Sequence, residues 1–456
     1  MEQFDVIVIG SGSGMNIASA AVEQGFKVAL VEQGKMGGTC INVGCVPSKM
    51  LIYPADMIVG LKQAEKLGIK ASLNTVDFGN IMKRMHALVE HDTGHQAAAV
   101  EGTSDITWFK DRGEFISDYT LQVGTHTIKG KMIFIVSGTR TSLPPIKGIQ
   151  SIDYLTSDTV LQLQTQPKSI IIIGGGYIGM EYGHFFSAIG TKTTVIQRED
   201  RVLPAEEPEI SDLLKHEISK RMEVYTNYEA LEVKQEGSMK TLIARNRLDG
   251  TQKEFKAESL MIAAGRISNA DLLKPENTGV KLNERGFILV NEFLETDKKH
   301  IYAFGDAIGK QMFRHAANYE AGVVWHNANN NHKVAMDFSV TPHAVFTHPQ
   351  IATVGLKERE AKQHYNILVG VAYYRDTAMG AAMGNPEGFV KVIVEKETGK
   401  ILGAHIIGPE ASVLLQEITN AMATGNGDYA PIARGMHIHP ALNEVIQNAF
   451  GNLQPA

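Results

Sequence analysis

Cysteine is almost absent: the 456 residues contain two, Cys40 and Cys45, five positions apart. Two thiols cannot complete a four-thiolate zinc site. No apolar run approaches the about eighteen residues needed to span a bilayer. An excess of basic charge is missing too, since 44 Lys and Arg face 50 Asp and Glu, which gives no reason to expect nucleic acid or an anionic membrane as partner. The opening MEQFDVIVIG is expected to enter a strand at once, so that no targeting peptide is expected. The expected location is therefore the cytoplasm, where a lasting structural disulfide is unusual. For the two thiols there remain a redox role or two idle small residues.

What is present is ordinary for a globular protein, with 43% hydrophobic and 21% charged residues, and the length calls for two to four domains. Two segments share one grammar: FDVIVIGSGSGMNIASAAVEQGFKVALVEQ at 4–33 and KSIIIIGGGYIGMEYGHFFSAIGTKTTVIQR at 168–198. Each runs from an apolar stretch through a glycine cluster and an amphipathic stretch to a second apolar run, the pattern of a β-α-β dinucleotide-binding unit. Helices are expected over 45–65, 76–100, 206–222, 310–330 and 410–424. Strands are expected over 105–136 and 223–262, and again from His343 onward.

A glycine-rich turn before a helix lets backbone N–H groups and the helix dipole meet a pyrophosphate. Gly10 and Gly12 suit that role in the first unit, although the third glycine position holds Met15, which predicts some strain between helix and strand. Glu32 ends the second strand, where a carboxylate can accept hydrogen bonds from a ribose. The second unit keeps Gly174, Gly176 and Gly179, but Gln197 and Arg198 stand at its ribose position. Arg198 can pair with a 2′-phosphate and leans toward NADPH, while Gly179 is commoner in NAD sites. The choice stays open.

In GGTCINVGCVPSK, residues 37–49, Pro47 suits the first turn of a helix. A thiolate at Cys45 would then sit at a helix N-terminus, where the dipole makes it reactive. Lys49, one turn further on, adds positive charge. Near the far end His439-Pro440 and Glu444 pair an imidazole with a carboxylate that can orient it, the usual partnership for acid–base work. His315, His343, His348 and His437 show no such partner in the sequence and are expected to be structural.

The run GGTCINVGCVPSK, with IIIIGGGYIGMEYG, AAGRISNAD, IYAFGDAIG, HAVFTHPQIATVG and HIHPALNEV, resembles the class I pyridine nucleotide-disulfide oxidoreductases along essentially the whole chain. That resemblance implies an α/β fold with two Rossmann-like dinucleotide-binding domains, for FAD and NAD(P), plus a C-terminal α+β dimerisation domain. The implied boundaries are 1–145, 146–268, 269–337 (completing the FAD site) and 338–456. It implies FAD contacts from Gly10, Gly12, Glu32, Thr39, Lys49, Gly113, Ser137, Gly138 and Asp306. It implies a site for NAD(H) or NADP(H) at Gly174, Gly176, Gly179, Glu181, Arg198 and Gly265, with Glu181 paired to Lys49.

By the same resemblance Cys45 faces flavin and Cys40 exchanges with substrate sulfur. His439 of a homodimer partner, oriented by Glu444, shuttles the proton, and no metal is involved. The implied substrate is a small dithiol or disulfide. Dihydrolipoamide is expected first, with membership of a 2-oxo acid dehydrogenase complex as an option. An NADPH-dependent reductase of the mycothione or glutathione type is the alternative. A flavoprotein redox sensor is the rival from another class.

Overall fold

The structure, a computed structural model, describes residues 1–456. The chain forms two compact units. The first comprises residues 1–48, 82–142 and 265–338, and the second comprises 49–81, 143–264 and 339–456.

The first unit is built on a seven-stranded sheet. Its strands run in the order Ile106–Phe109, Val28–Val31, Glu2–Ile9, His126–Ile135, Thr120–Val123, Gly113–Ser117, and Ile301–Ala303 also pairs with His126–Ile135. Glu2–Ile9 lies parallel to both its neighbours, as expected of a strand fed by helical crossovers. Val6, Ile7 and Val8 are wholly buried, and such side chains each contribute roughly 2 kcal/mol on leaving water. The helix Gly14–Glu23 buries Gly14, Ile17, Ala18 and Ala21, the three-and-four spacing that lays one helical face on a sheet.

The second unit holds three sheets. A four-stranded parallel sheet runs Glu223–Tyr225, Lys192–Ile196, Ser169–Ile173, Ser259–Ile262, and its central strand is the β-branched run SIIII. Beside it in sequence lies an antiparallel meander of Tyr228–Glu236, Met239–Asn246 and Gln252–Ala257. The last sheet has six strands, with Ile401–Gly408 near its centre. All eight residues of that strand are buried, and the helix Ala411–Ala423 covers it with Leu414, Leu415 and Ile418.

The expected fold class is therefore found. The expected helices lie at Cys45–Gln63, Phe78–Glu101, Pro208–Ile218, Arg314–Asn329 and Ala411–Ala423. No helix is long and apolar enough to cross a membrane.

Candidate active site

In the first unit the strand Glu2–Ile9 ends at Gly10, whose φ is +109°. A Cβ there would stand 2.3 Å from the Val136 carbonyl oxygen, so only glycine lets the turn close against the neighbouring strand. The strain expected from Met15 is not found. Gly14, one residue earlier, makes the close helix–strand approach, with its Cβ position 2.8 Å from Val8 Cγ1. Met15 packs half-buried against the core. Glu32 braces the turn: its Oε2 accepts the Ser11 N–H at 3.0 Å and the Ser11 hydroxyl at 2.8 Å. Its Oε1 accepts the Gly34 N–H at 2.8 Å.

The thiol loop lies against this turn. A Cβ on Gly38 would reach 2.7 Å from Gly12 Cα, and Gly38 has a φ of +63°. Gly38–Asn42 forms a short helix that sequence periodicity is too brief to show. Asn42 locks it by donating its amide to the Met36 carbonyl at 2.8 Å and the Gly38 carbonyl at 3.0 Å. The chain then folds back at Gly44, where a Cβ would lie 2.9 Å from the Thr39 carbonyl oxygen. The next helix begins at Cys45 itself, with Pro47 in its first turn. Thr39 and Cys45 are exposed and Cys40 is half-buried.

Further residues expected at the flavin gather in the same unit. Ser137 Oγ is buried without a hydrogen-bond partner, and Gly138, at φ +66°, faces open space. Gly113 opens a strand and packs against Val31. Asp306 accepts from Thr139 Oγ1 at 2.9 Å, and burial pushes its carboxyl up. Two neighbours carried no sequence signal. Arg266 Nε donates to Thr139 Oγ1 at 2.6 Å. Glu320, fully buried, accepts the Gly305 N–H at 2.5 Å, and burial raises its carboxyl to about 7.

The second unit repeats the turn. Gly174 has a φ of +112°, and its Cβ would lie 2.2 Å from the Ala263 carbonyl oxygen. A Cβ on Gly179 would lie 1.9 Å from the Gly174 carbonyl oxygen, whereas one on Gly176 would meet nothing. Gln197 is buried; its Oε1 accepts the Gly175 N–H at 2.9 Å and its Nε2 donates to the Arg201 carbonyl at 3.1 Å. Arg198 is exposed and paired with Glu199 at 3.1 Å. Arg247, which sequence reasoning missed, also reaches Glu199, at 3.4 Å. Gly265, at φ +117°, begins the last segment of the first unit and has open space beside it.

The expected Lys49–Glu181 pair forms at 2.8 Å. Glu181 Oε1 accepts the Phe346 N–H at 3.0 Å, and Lys49 Nζ lies 4.3 Å from the centre of the Phe346 ring. His439 Nδ1 meets Glu444 Oε1 at 2.8 Å. Glu444 Oε2 accepts the Ala441 N–H at 3.0 Å, and these partners, His439 first, hold its carboxyl below the usual range. Three other histidines correct the expectation that they lack such partners. His343 meets Glu206 at 2.7 Å and His437 meets Glu417 at 2.8 Å, while His348 stands 3.7 Å from Asp56. Those carboxylates lie 20 to nearly 300 residues away in sequence, so only the fold reveals them.

Residues 4–321 match the family model described as pyridine nucleotide-disulphide oxidoreductase, and residues 341–450 match its dimerisation domain. The chain belongs to this family. Its members use FAD together with NAD(P)H. Among the relatives of this oxidoreductase is mycothione reductase from Mycobacterium tuberculosis, 36% identical over all of both chains. Another is dihydrolipoyl dehydrogenase from Geobacillus stearothermophilus, 33% identical over 98% of this chain and 95% of that one. The solved structure of the HOCl-induced flavoprotein disulfide reductase RclA from Escherichia coli superposes with a TM-score of 0.87 at 26% identity, covering 98% of this chain and 99% of that one.

Proposed function

We infer that this oxidoreductase spends NAD(P)H to reduce a small disulfide, with Cys40 and Cys45 as its redox pair. One observation carries the reading: the thiol loop is packed onto the first dinucleotide turn, Gly38 against Gly12. The residues present fit FAD. Gly10 and Gly12 leave the turn bare for a pyrophosphate. Glu32 stands at the ribose position, Asp306 is available to a polyol chain, and the unpartnered Ser137 Oγ with open space at Gly138 offers a further polar contact. FAD when bound supplies hydride acceptance from the nicotinamide and two-electron delivery to a disulfide.

The chain's own residues do the rest. Cys45 opens a helix, whose dipole favours its thiolate. Cys40 takes the exchange with substrate sulfur. Lys49 and Glu181 hold each other in a fixed ion pair. Glu444 orients His439 through Nδ1 and leaves Nε2 to give and take the proton of the leaving thiol. Gly174, Gly176 and Gly179 receive the nicotinamide nucleotide, and Arg198 is offered to a 2′-phosphate. A homodimer is part of the proposal, with the domains divided as 1–145, 146–268, 269–337 and 338–456, and the cytoplasm as location.

For the substrate, the full-length 36% identity to mycothione reductase favours a low-molecular-weight disulfide. Dihydrolipoamide, which the sequence put first, is the second reading, favoured by the GGGYIG turn and by relatives of 30 to 33% identity. Measuring kcat/KM for lipoamide and for several small disulfides, each with NADH and NADPH, separates the two. Undiminished disulfide turnover by Cys45→Ser would sink the mechanism.

A further inference from the structure

Three segments that build the Lys49–Glu181 pair also build a second polar cluster, and all its residues belong to the second unit. The helix Cys45–Gln63 carries Lys49 and Asp56, about two turns apart on one face. The helix Tyr177–Ala188 carries Glu181 and His184, one turn apart. Phe346 and His348 follow the strand His343–Val345, two residues apart. In the first tier Glu181 takes Lys49 and the Phe346 N–H. In the second, Asp56 Oδ1 stands 2.9 Å from His184 Nε2 and 3.7 Å from His348 Nδ1, and the two imidazoles stack at 6.3 Å. Arg221 closes the cluster: its Nη2 lies 3.2 Å from His184 Nδ1 and donates to the His348 carbonyl at 2.9 Å.

The chemistry of the cluster fixes its protons. A guanidinium has donors and no acceptor, and burial lowers Arg221 only to about 10, so it stays charged near neutral pH. His184 Nδ1 must therefore accept, and Nε2 carries the hydrogen that Asp56 receives. The His184 side chain is wholly buried, and burial holds its imidazole toward the neutral form against the pull of Asp56. One orientation of the ring satisfies both neighbours. A ring turned over would offer carbon to each.

Pro54 gives this second tier a mechanical task. It lies inside the helix, between Lys49 and Asp56, and lacks the N–H that would bond one turn back. The helical ladder is a rung short between the two tiers. The Lys49 end is therefore held less firmly by the rest of its own helix. Asp56 pins the far side of that gap to the helix that carries Glu181.

We propose that Asp56, through the hydrogen bond it accepts from His184, is a positioning residue for the Lys49–Glu181 pair, setting the register of the Lys49 helix against the Glu181 helix. Lys49 is a contact to FAD that the family resemblance implies, so the proposal rests on the reductase reading above. Asp56 and His184 touch neither substrate nor nucleotide in this role. They act by keeping the Lys49 cation where it favours the charge that the flavin gains on reduction.

The test uses the full-length FAD-loaded protein and reads two quantities: the limiting rate of flavin reduction by NADH and NADPH in stopped flow, and the flavin midpoint potential. Asp56→Ala should lower the limiting rate about tenfold, within what a small misplacement costs. It should also lower the potential, and leave the apparent Kd for the nucleotide within about twofold, a split that a general loss of structure would not give. Asp56→Asn keeps an acceptor for His184 and should recover most of the loss. His184→Phe keeps a buried ring without its nitrogens; it should reproduce Asp56→Ala, and it carries the test if Asp56→Ala purifies without FAD. In a Lys49→Met background Asp56→Ala should cost less than about twofold more, because both act through one ion pair. An equal loss in that background overturns the positioning role. So does an unchanged rate and potential in Asp56→Ala and His184→Phe, or no recovery in Asp56→Asn. Wild-type flavin that neither nucleotide reduces would instead defeat the reductase reading, and the positioning role with it.

Discussion

Gln197 Oε1 accepts the backbone N–H of Gly175 at 2.9 Å, as Glu32 Oε2 accepts that of Ser11 at 3.0 Å. Both units thus brace the glycine turn with the residue that follows the second strand. A carboxylate braces one, and a neutral amide braces the other. Because the Gln197 side chain is committed to the turn at Oε1 and to Arg201 at Nε2, the proposed nucleotide site would leave discrimination at the ribose to its neighbour.

Arg198 is that neighbour, exposed and held only by Glu199, with Arg247 beside the same carboxylate. Arg198→Ala should lower kcat/KM for NADPH about tenfold or more and move the value for NADH much less, since in the proposed site the side chain would pair with a phosphate that NADH lacks. Steady-state kinetics with both nucleotides read this out. An equal fall for both would assign Arg198 to structure.

Gly38→Ala should empty the flavin site. Its φ of +63° and the 2.7 Å approach to Gly12 Cα leave a methyl group no place without shifting the pyrophosphate turn. The bound FAD per chain, measured from the visible absorbance of purified protein, should fall to less than half. Full occupancy would mean that the loop and turn are not coupled as described.

His439→Ala should slow disulfide reduction by about 10²- to 10⁴-fold, the usual contribution of a positioned acid–base group. Reduction of ferricyanide, which requires no thiol exchange, should fall far less. Glu444→Gln should fall between wild type and His439→Ala, because it retains one hydrogen-bond acceptor toward Nδ1 but no charge. The ratio of the two rates is the deciding quantity.

Glu320 predicts a pH-dependent stability. Burial keeps its carboxyl protonated up to about 7 in the fold, against 4.5 for the exposed group. The Gly305 N–H and Lys310 pull it down, and Asp306 pushes it up. The folded-state value is raised, so the stability is fully present below pH 4.5 and is lost as pH rises through about 7. The loss is at most ~3 kcal/mol. Glu320→Gln cannot ionise and should show a smaller drop in Tm of the FAD-loaded protein between pH 5 and pH 8. An equal drop in both proteins would exclude Glu320 as its source.

The sequence by itself determined the two β-α-β units, the thiol pair, the Lys49 helix and the His439–Glu444 pair. In each of these the chemistry lies in neighbouring residues or in a short periodic pattern, so local rules expose it. The Lys49–Glu181 contact came from resemblance alone, since 132 residues separate its partners. Only the tertiary structure decided that Gly14 makes the close contact Met15 cannot, and that Gln197 braces a turn. It alone gave His343, His348 and His437 their carboxylates. Apart from the Gly14–Val8 approach, which depends on how the helix seats on its strand, those relationships join residues 20 or more positions apart, and a side chain's partner at that range is set by how strands and helices pack, which a local pattern does not encode.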